Sequence, residues 1–190
     1  MQTIANTVKS VYAKQIEKNY GLEFKINLNQ EEPRYFGGAS VDKGFFEIDI
    51  GAKLLTLPGM TPDAAALLFC HEVGHLLSGG PIKPTSTWAS SEGQSDYFAA
   101  KECLRKVFVL LPNESSNNLA SSPRLRITAA GQALINAIYI FMDVPQMPRP
   151  SILKREAPAA VGSATNYPTL QCRLDTFVAG ADDQPAPPCW

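Results

Sequence analysis

Thr61-Pro62-Asp63-Ala64-Ala65-Ala66-Leu67-Leu68-Phe69-Cys70-His71-Glu72-Val73-Gly74-His75-Leu76-Leu77 is the stretch on which the fold turns. It opens with three helix-start signals: a threonine able to cap free amides, a proline at the first helical position, and an aspartate at the positive end of the dipole. Ser78-Gly79-Gly80-Pro81 closes it. Apolar residues flank the pentapeptide His71-Glu72-Val73-Gly74-His75 on both sides, so this helix is expected to be buried. Buried imidazoles and a buried carboxylate each need a partner, and a metal ion satisfies all three.

Histidines at i and i+4 lie one turn apart on one helix face, so both rings can reach one ion at roughly 2.0 to 2.1 Å, the geometry zinc requires. Glu72 sits about 100 degrees round the helix from His71, placed to act as general base on a water activated by zinc. His71 and His75 are the only two histidines in the chain. A catalytic zinc takes a third protein ligand, which must therefore be a carboxylate or a thiolate. Cys70 points away from His71, and Cys103 lies roughly 16 Å along its helix from Glu92. The next helix, from Ser90 or Ser91 through Phe108, offers Glu92 and Asp96 on one face. Glu92 is read as the ligand and Asp96 as the carboxylate that orients a ligating histidine. The competing reading is that both acids only complement the helix N-terminus. Gly93 would let the two helices approach closely.

Around this centre the chain alternates between helix and strand patterns. Residues 3 to 20 carry apolar residues at helical spacing and stop at Gly21. Leu22 to Leu28 and Phe46 to Ile50 alternate as short strands, with glycines marking at least one hairpin. Residues 112 to 122 form a polar loop, and 124 to 143 a nearly all-apolar core helix. The proline-rich stretch 145 to 168 is expected to lie on the surface, followed by a short helix from about Thr169 to Ala179 and a proline-rich tail. The apolar run Ala129 to Val144 is interrupted by polar residues and reads as too short to span a bilayer.

The motifs H-E-V-G-H and E-G-Q-S-D resemble the H-E-x-x-H plus E-x-x-x-D pattern of gluzincin metallopeptidases, in particular the family of the CAAX prenyl protease and HtpX-like peptidases. Thr165 to Leu174 resembles that family's T-H-P-x-x-x-x-R-I element. Cys70–His75, Glu92–Tyr97 and Gln171–Thr176 are similar to a soluble bacterial group carrying C-H-E-x-G-H, E-G-Q-S-D-Y and Q-C-R-L-D-T. The resemblance implies an α+β zincin-like domain, with a small sheet packed on the active-site helix and further helices, spanning residues 1–190 as a single unit. It implies a zinc-dependent peptidase with His71, His75 and Glu92 as ligands, Glu72 as base, Asp96 orienting a ligand and Arg173 packing toward Asp96 or the cleft. Tyr167 stands where that family has histidine; it either supplies a hydroxyl to an oxyanion or is a packed aromatic before Pro168. By analogy an edge strand binds extended peptide substrate, and Gly44 to Gly51 is the candidate. The alternative function is a non-catalytic zinc or interaction protein that retains the fold.

Composition limits the other possibilities. The chain has 190 residues, 45% of them apolar, enough for one domain with a sizeable core. With 17 basic and 18 acidic residues there is no charge excess to hold nucleic acid or an anionic membrane. Cys70, Cys103, Cys172 and Cys189 lack C-x-x-C spacing and are either buried thiols or long-range bridges. Bridges would place the protein in the periplasm or the secreted fraction, with any signal peptide expected to have been removed. The distance of Cys103 from the metal site argues against a Cys70–Cys103 bridge. Cys172–Cys189 or a staple from the tail to the active-site helices remains open.

Overall fold

A computed structural model describes residues 1–31, 35–112, 122–143, 146–158 and 167–190. Most of the expected 112–122 loop, the start of the third motif at Thr165 and Asn166, and part of the 145–168 segment lie outside these residues.

Helix α1 (Gln2–Tyr20) buries Ile4, Ala5, Val8, Tyr12 and Ile16, the stripe its periodicity predicts, and ends where Gly21 adopts the left-handed conformation (φ 67°). Strands β1 (Glu23–Asn29), β2 (Gly37–Asp42) and β3 (Phe45–Gly51) form a sheet in the order β1-β3-β2. β3 runs parallel to β1 and antiparallel to β2. The two-residue turn Lys43-Gly44 joins β2 to β3 with both residues at positive φ, the backbone a tight hairpin demands. Phe46, Ile48 and Ile50 are fully buried while Glu47 and Asp49 alternate with them. The fold class is therefore α+β, with a small mixed sheet.

One expectation changes here. Gly44 to Gly51 is paired on both sides and cannot serve as an edge. Among the described residues the edge beside the central helix is β2. Phe36 and Gly51 form a ladder hydrogen bond, so by alternation Gly37, Ala39 and Val41 turn their amides away from β3.

Helix α2 (Pro62–Leu77) is the axis of the domain, with every residue from Ala64 to Leu76 buried. Thr61 accepts a hydrogen bond from the Ala64 amide at 3.1 Å and Pro62 opens the helix, as the local sequence dictates. Alongside it run α3 (Glu92–Phe98), a π-helical turn (Ala99–Cys103) and α4 (Leu104–Phe108), forming one continuous arm. Helix α5 (Pro123–Met142) packs on α2, and α6 (Leu170–Ala181) packs on both α5 and α3.

Three further corrections follow from this packing. Cys70 and Cys103 are bridged, with Cα atoms 5.6 Å apart. The arm runs back along α2, so 11 residues of rise from Glu92 carry the chain past His75 to the level of Cys70; distance from the metal site was the wrong ruler. The second bridge joins Cys172 to Cys189. Helices α2 and α3 meet closely at Gly74, where a Cβ would lie 2.9 Å from the Ser95 backbone. Gly93 instead makes room for the Trp190 indole, which a Cβ would meet at 2.1 Å. Finally, the helix expected over 124 to 143 spans Pro123–Met142, and where the run Ala129 to Val144 read as too short, these 20 residues are long and apolar enough to cross a membrane by length and composition. It buries Ile127, Ala130, Leu134 and Ile135, and Arg126 on the same helix is ion-paired to Asp63 at 2.7 Å.

Candidate metal centre

Both histidines of α2 are more than nine-tenths buried, and their rings lie edge to face with centroids 4.7 Å apart. Each is fixed through Nδ1. His71 Nδ1 meets Asp96 Oδ1 at 2.7 Å, whereas His75 Nδ1 meets the Ser90 carbonyl and Ser95 Oγ, both at 2.8 Å. An Nδ1 committed in this way leaves Nε2 as the ring atom that faces the site. Glu92 addresses both Nε2 atoms: Oε2 lies 3.2 Å from His71 Nε2 and Oε1 3.7 Å from His75 Nε2. Glu72 Oε2 is 3.9 Å from His75 Nε2.

Asp96 is wholly inaccessible to solvent and shared between two cations. Arg173 grips it with Nε on Oδ2 at 2.7 Å and Nη2 on Oδ1 at 2.8 Å, a two-pronged pairing that suits a guanidinium. The Arg173 Nη1 donates to the Tyr167 hydroxyl at 3.0 Å. A chain of groups thus runs from the exposed ring of Tyr167 through Arg173 and Asp96 to His71. The position of Asp96 inside this chain is not that of a helix-terminal acid. Glu92, by contrast, does occupy the first turn of α3, behind the Ser91 cap.

These surroundings set the protonation of the site. Burial disfavours charge on His71, but the Asp96 carboxylate, with help from Glu92, outweighs it and raises the pKa to about 9. Burial and the neighbouring His71 lower His75 to about 3. For Glu72, burial dominates and raises the carboxyl above its ordinary value. Burial also opposes ionisation of Glu92 and Asp96. It is overcome at Glu92 by His71 and Lys83, and at Asp96 by Arg173 and His71, so both stay well below the usual carboxylate range. Two carboxylates in one cleft are thereby pushed in opposite directions.

The group His71, Glu72 and His75, whose candidate ligand atoms lie within 4.8 Å of one another, could bind a metal ion. Two observations fit that use. Both Nε2 atoms and Glu92 converge on one volume, and Glu72 Oε2 is buried with no hydrogen-bond partner among the described residues. The site opens into a cleft of about 390 Å³ whose walls include Gly37, Ala39, Trp88, Leu134 and Tyr167. Gly37 sits over the centre, where a Cβ would come within 4.0 Å of Glu72 Oε1.

The structure also brings in residues that sequence reasoning did not single out. Lys83 Nζ pairs with Glu92 Oε1 at 2.6 Å and approaches His75 Nε2 at 3.4 Å. It comes from the loop after α2, which folds back through a bridge between Ile82 and Ser90, and no local pattern marks it. Ser90 supplies its carbonyl and is equally silent in sequence. Ser95 could have been found, since it follows Glu92 by one turn and precedes Asp96 on a helix already assigned to the site.

No family model matches this chain, and no curated protein or solved structure matches it.

Proposed function

We propose that the chain is a zinc metallopeptidase of the gluzincin type, with a zincin-like fold. His71, His75 and Glu92 would hold the metal. The observation that carries the reading is the convergence of two Nδ1-anchored imidazoles and an ionised Glu92 on one open cleft, beside a buried Glu72 oxygen with no hydrogen-bond partner among the described residues. The metal would supply Lewis acidity, making a water acidic and polarising a peptide carbonyl.

The chain's own residues divide the remaining work. Glu72, its carboxyl raised by burial, takes the proton from the attacking water and passes it to the leaving amine nitrogen as the C–N bond breaks. Glu92 stays ionised and suits a ligand. Asp96, clamped by Arg173, holds the His71 ring in orientation and makes its Nε2 more basic. Tyr167, whose hydroxyl accepts from Arg173, lines the cleft and is assigned to the developing oxyanion. The outward amides of Gly37 and Ala39 on β2 would bind an extended peptide by strand addition. Two disulfides are compatible with an oxidising extracellular environment, and we assign the protein to the periplasm or the secreted fraction.

The test is cleavage of a mixed peptide library by zinc-supplemented protein, read by mass spectrometry, beside Glu72→Gln. The variant should retain zinc and lose about 10²-fold or more in rate. Full activity in Glu72→Gln would remove the mechanism. Failure of wild type to cleave any peptide, with zinc bound, would favour the non-catalytic alternative.

A further inference from the structure

Among the described charged groups at the centre, Lys83 alone has no part in the metal-binding, catalytic or orienting roles assigned above. Its ammonium lies 2.6 Å from Glu92 Oε1 and 3.4 Å from His75 Nε2, two of the atoms that would ligate a metal. Its backbone is fixed, with the amide donating to Ala89 O at 2.8 Å and the carbonyl accepting from Ser86 N at 3.0 Å. Its side chain is 27% exposed and lines the cleft, which leaves the stem solvent-accessible space to move into. Zinc requires the same Glu92 carboxylate and the same His75 lone pair at roughly 2.0 to 2.2 Å, which leaves no room for an ammonium between them. A dication and an ammonium a few ångströms apart also repel, and strongly so in a half-dry cleft.

We propose that Lys83 is a tethered competitor for the metal, an internal cation that holds Glu92 and His75 and must swing out of the centre when zinc enters. The proposal rests on the metal reading above and adds a form of regulation to it. Lys83 sets the zinc concentration at which the site fills, and filling moves one positive charge from the ligand set into the cleft. The Glu92 carboxylate trades its hydrogen bond to the ammonium for coordination to zinc, and a protonated His71 releases its Nε2 proton to solvent as it becomes a ligand. The competition works through the charged ammonium and its contacts to Glu92 and His75, so a side chain of similar length without charge should relieve it.

Two measurements test this on the intact, disulfide-bonded protein. In the first, zinc affinity is determined by competition with a chromogenic chelator for wild type, Lys83→Met and Lys83→Arg. Lys83→Met should bind zinc about tenfold more tightly or better, a difference of about 1.4 kcal/mol, while Lys83→Arg should gain nothing. In the second, wild type is acylated at its lysines with and without zinc and mapped by mass spectrometry. Lys83 should react faster once zinc is present, and the exposed Lys9 and Lys154 should not change. Equal or weaker zinc binding by Lys83→Met, or a Lys83 acylation rate indifferent to bound zinc, overturns the competitor role and leaves the metal site standing. Absence of saturable zinc binding in both wild type and Lys83→Met overturns the metal reading itself, and the competitor role with it.

Discussion

His71 and His75 are the same residue, one turn apart on one buried helix, yet the protein surrounds them in opposite ways. His71 leans on charge: its Nδ1 meets a carboxylate that is itself clamped by Arg173, a residue 102 positions away in sequence. His75 leans on neutral groups, a backbone carbonyl and a serine hydroxyl supplied by the 15 to 20 residues that follow it. The difference shows in their titration, with His71 raised to about 9 and His75 lowered to about 3. It teaches that one face of the centre is assembled by the whole fold, since α6 must dock before Asp96 is neutralised. The other face is assembled locally, by the loop after α2 and the start of α3.

Breaking the charged face should cost most. Asp96→Ala leaves Arg173 buried without its partner and should destabilise the protein by about 3–5 kcal/mol in denaturant titration. The gentler Asp96→Asn should retain the fold and weaken zinc binding by about 10–100-fold. Next in size is the Cys70–Cys103 bridge, which closes a loop of 33 residues that contains His71, Glu72, His75 and Glu92. Replacing both cysteines with alanine should cost about 2–4 kcal/mol. Cys172–Cys189 closes only 17 residues, so its removal should cost less by about 0.6 kcal/mol on loop entropy alone.

A pH series on chelator-stripped protein sharpens the contrast further. The stability contributed by His71 is full below the unfolded value of 6.5 and is lost as pH rises through about 9. The contribution of His75 is full above 6.5 and is lost as pH falls toward about 3. Their sum predicts a melting temperature that peaks near pH 6.5 and declines on both sides. The alkaline decline should shrink in Asp96→Asn, where His71 keeps only Glu92 as an anion, and the acidic one should persist. The smallest effect belongs to the neutral face. Ser95→Ala should cost about 1 kcal/mol, because His75 Nδ1 keeps the Ser90 carbonyl.

The same contrast explains how much the sequence could disclose. Local chemistry was legible: the Thr61 cap, the Pro62 start, the His71 and His75 spacing and the alternation of Phe46, Ile48 and Ile50 all lead to the elements observed. Glu92 and Asp96 could be placed because they share a helix face with one another. What required two elements to meet was not legible. Which strand is the edge depends on β3 inserting between β1 and β2, and strand order leaves no mark on a single strand's pattern. The Cys70–Cys103 bridge depends on the arm running back along α2, and the role of Gly93 on where Trp190 comes to rest. Lys83 was invisible for the same reason: it reaches Glu92 only after the loop following α2 has folded back on itself.

The central claim is that His71, His75 and Glu92 form one metal site served by Glu72. Elemental analysis of protein equilibrated with limiting zinc, beside His71→Ala, Glu92→Ala and Glu72→Gln, tests it most directly. The account predicts one zinc per wild-type chain, the same in Glu72→Gln, and loss of stoichiometric zinc in the other two. Stoichiometric zinc retained by Glu92→Ala, or no zinc in wild type, would contradict it.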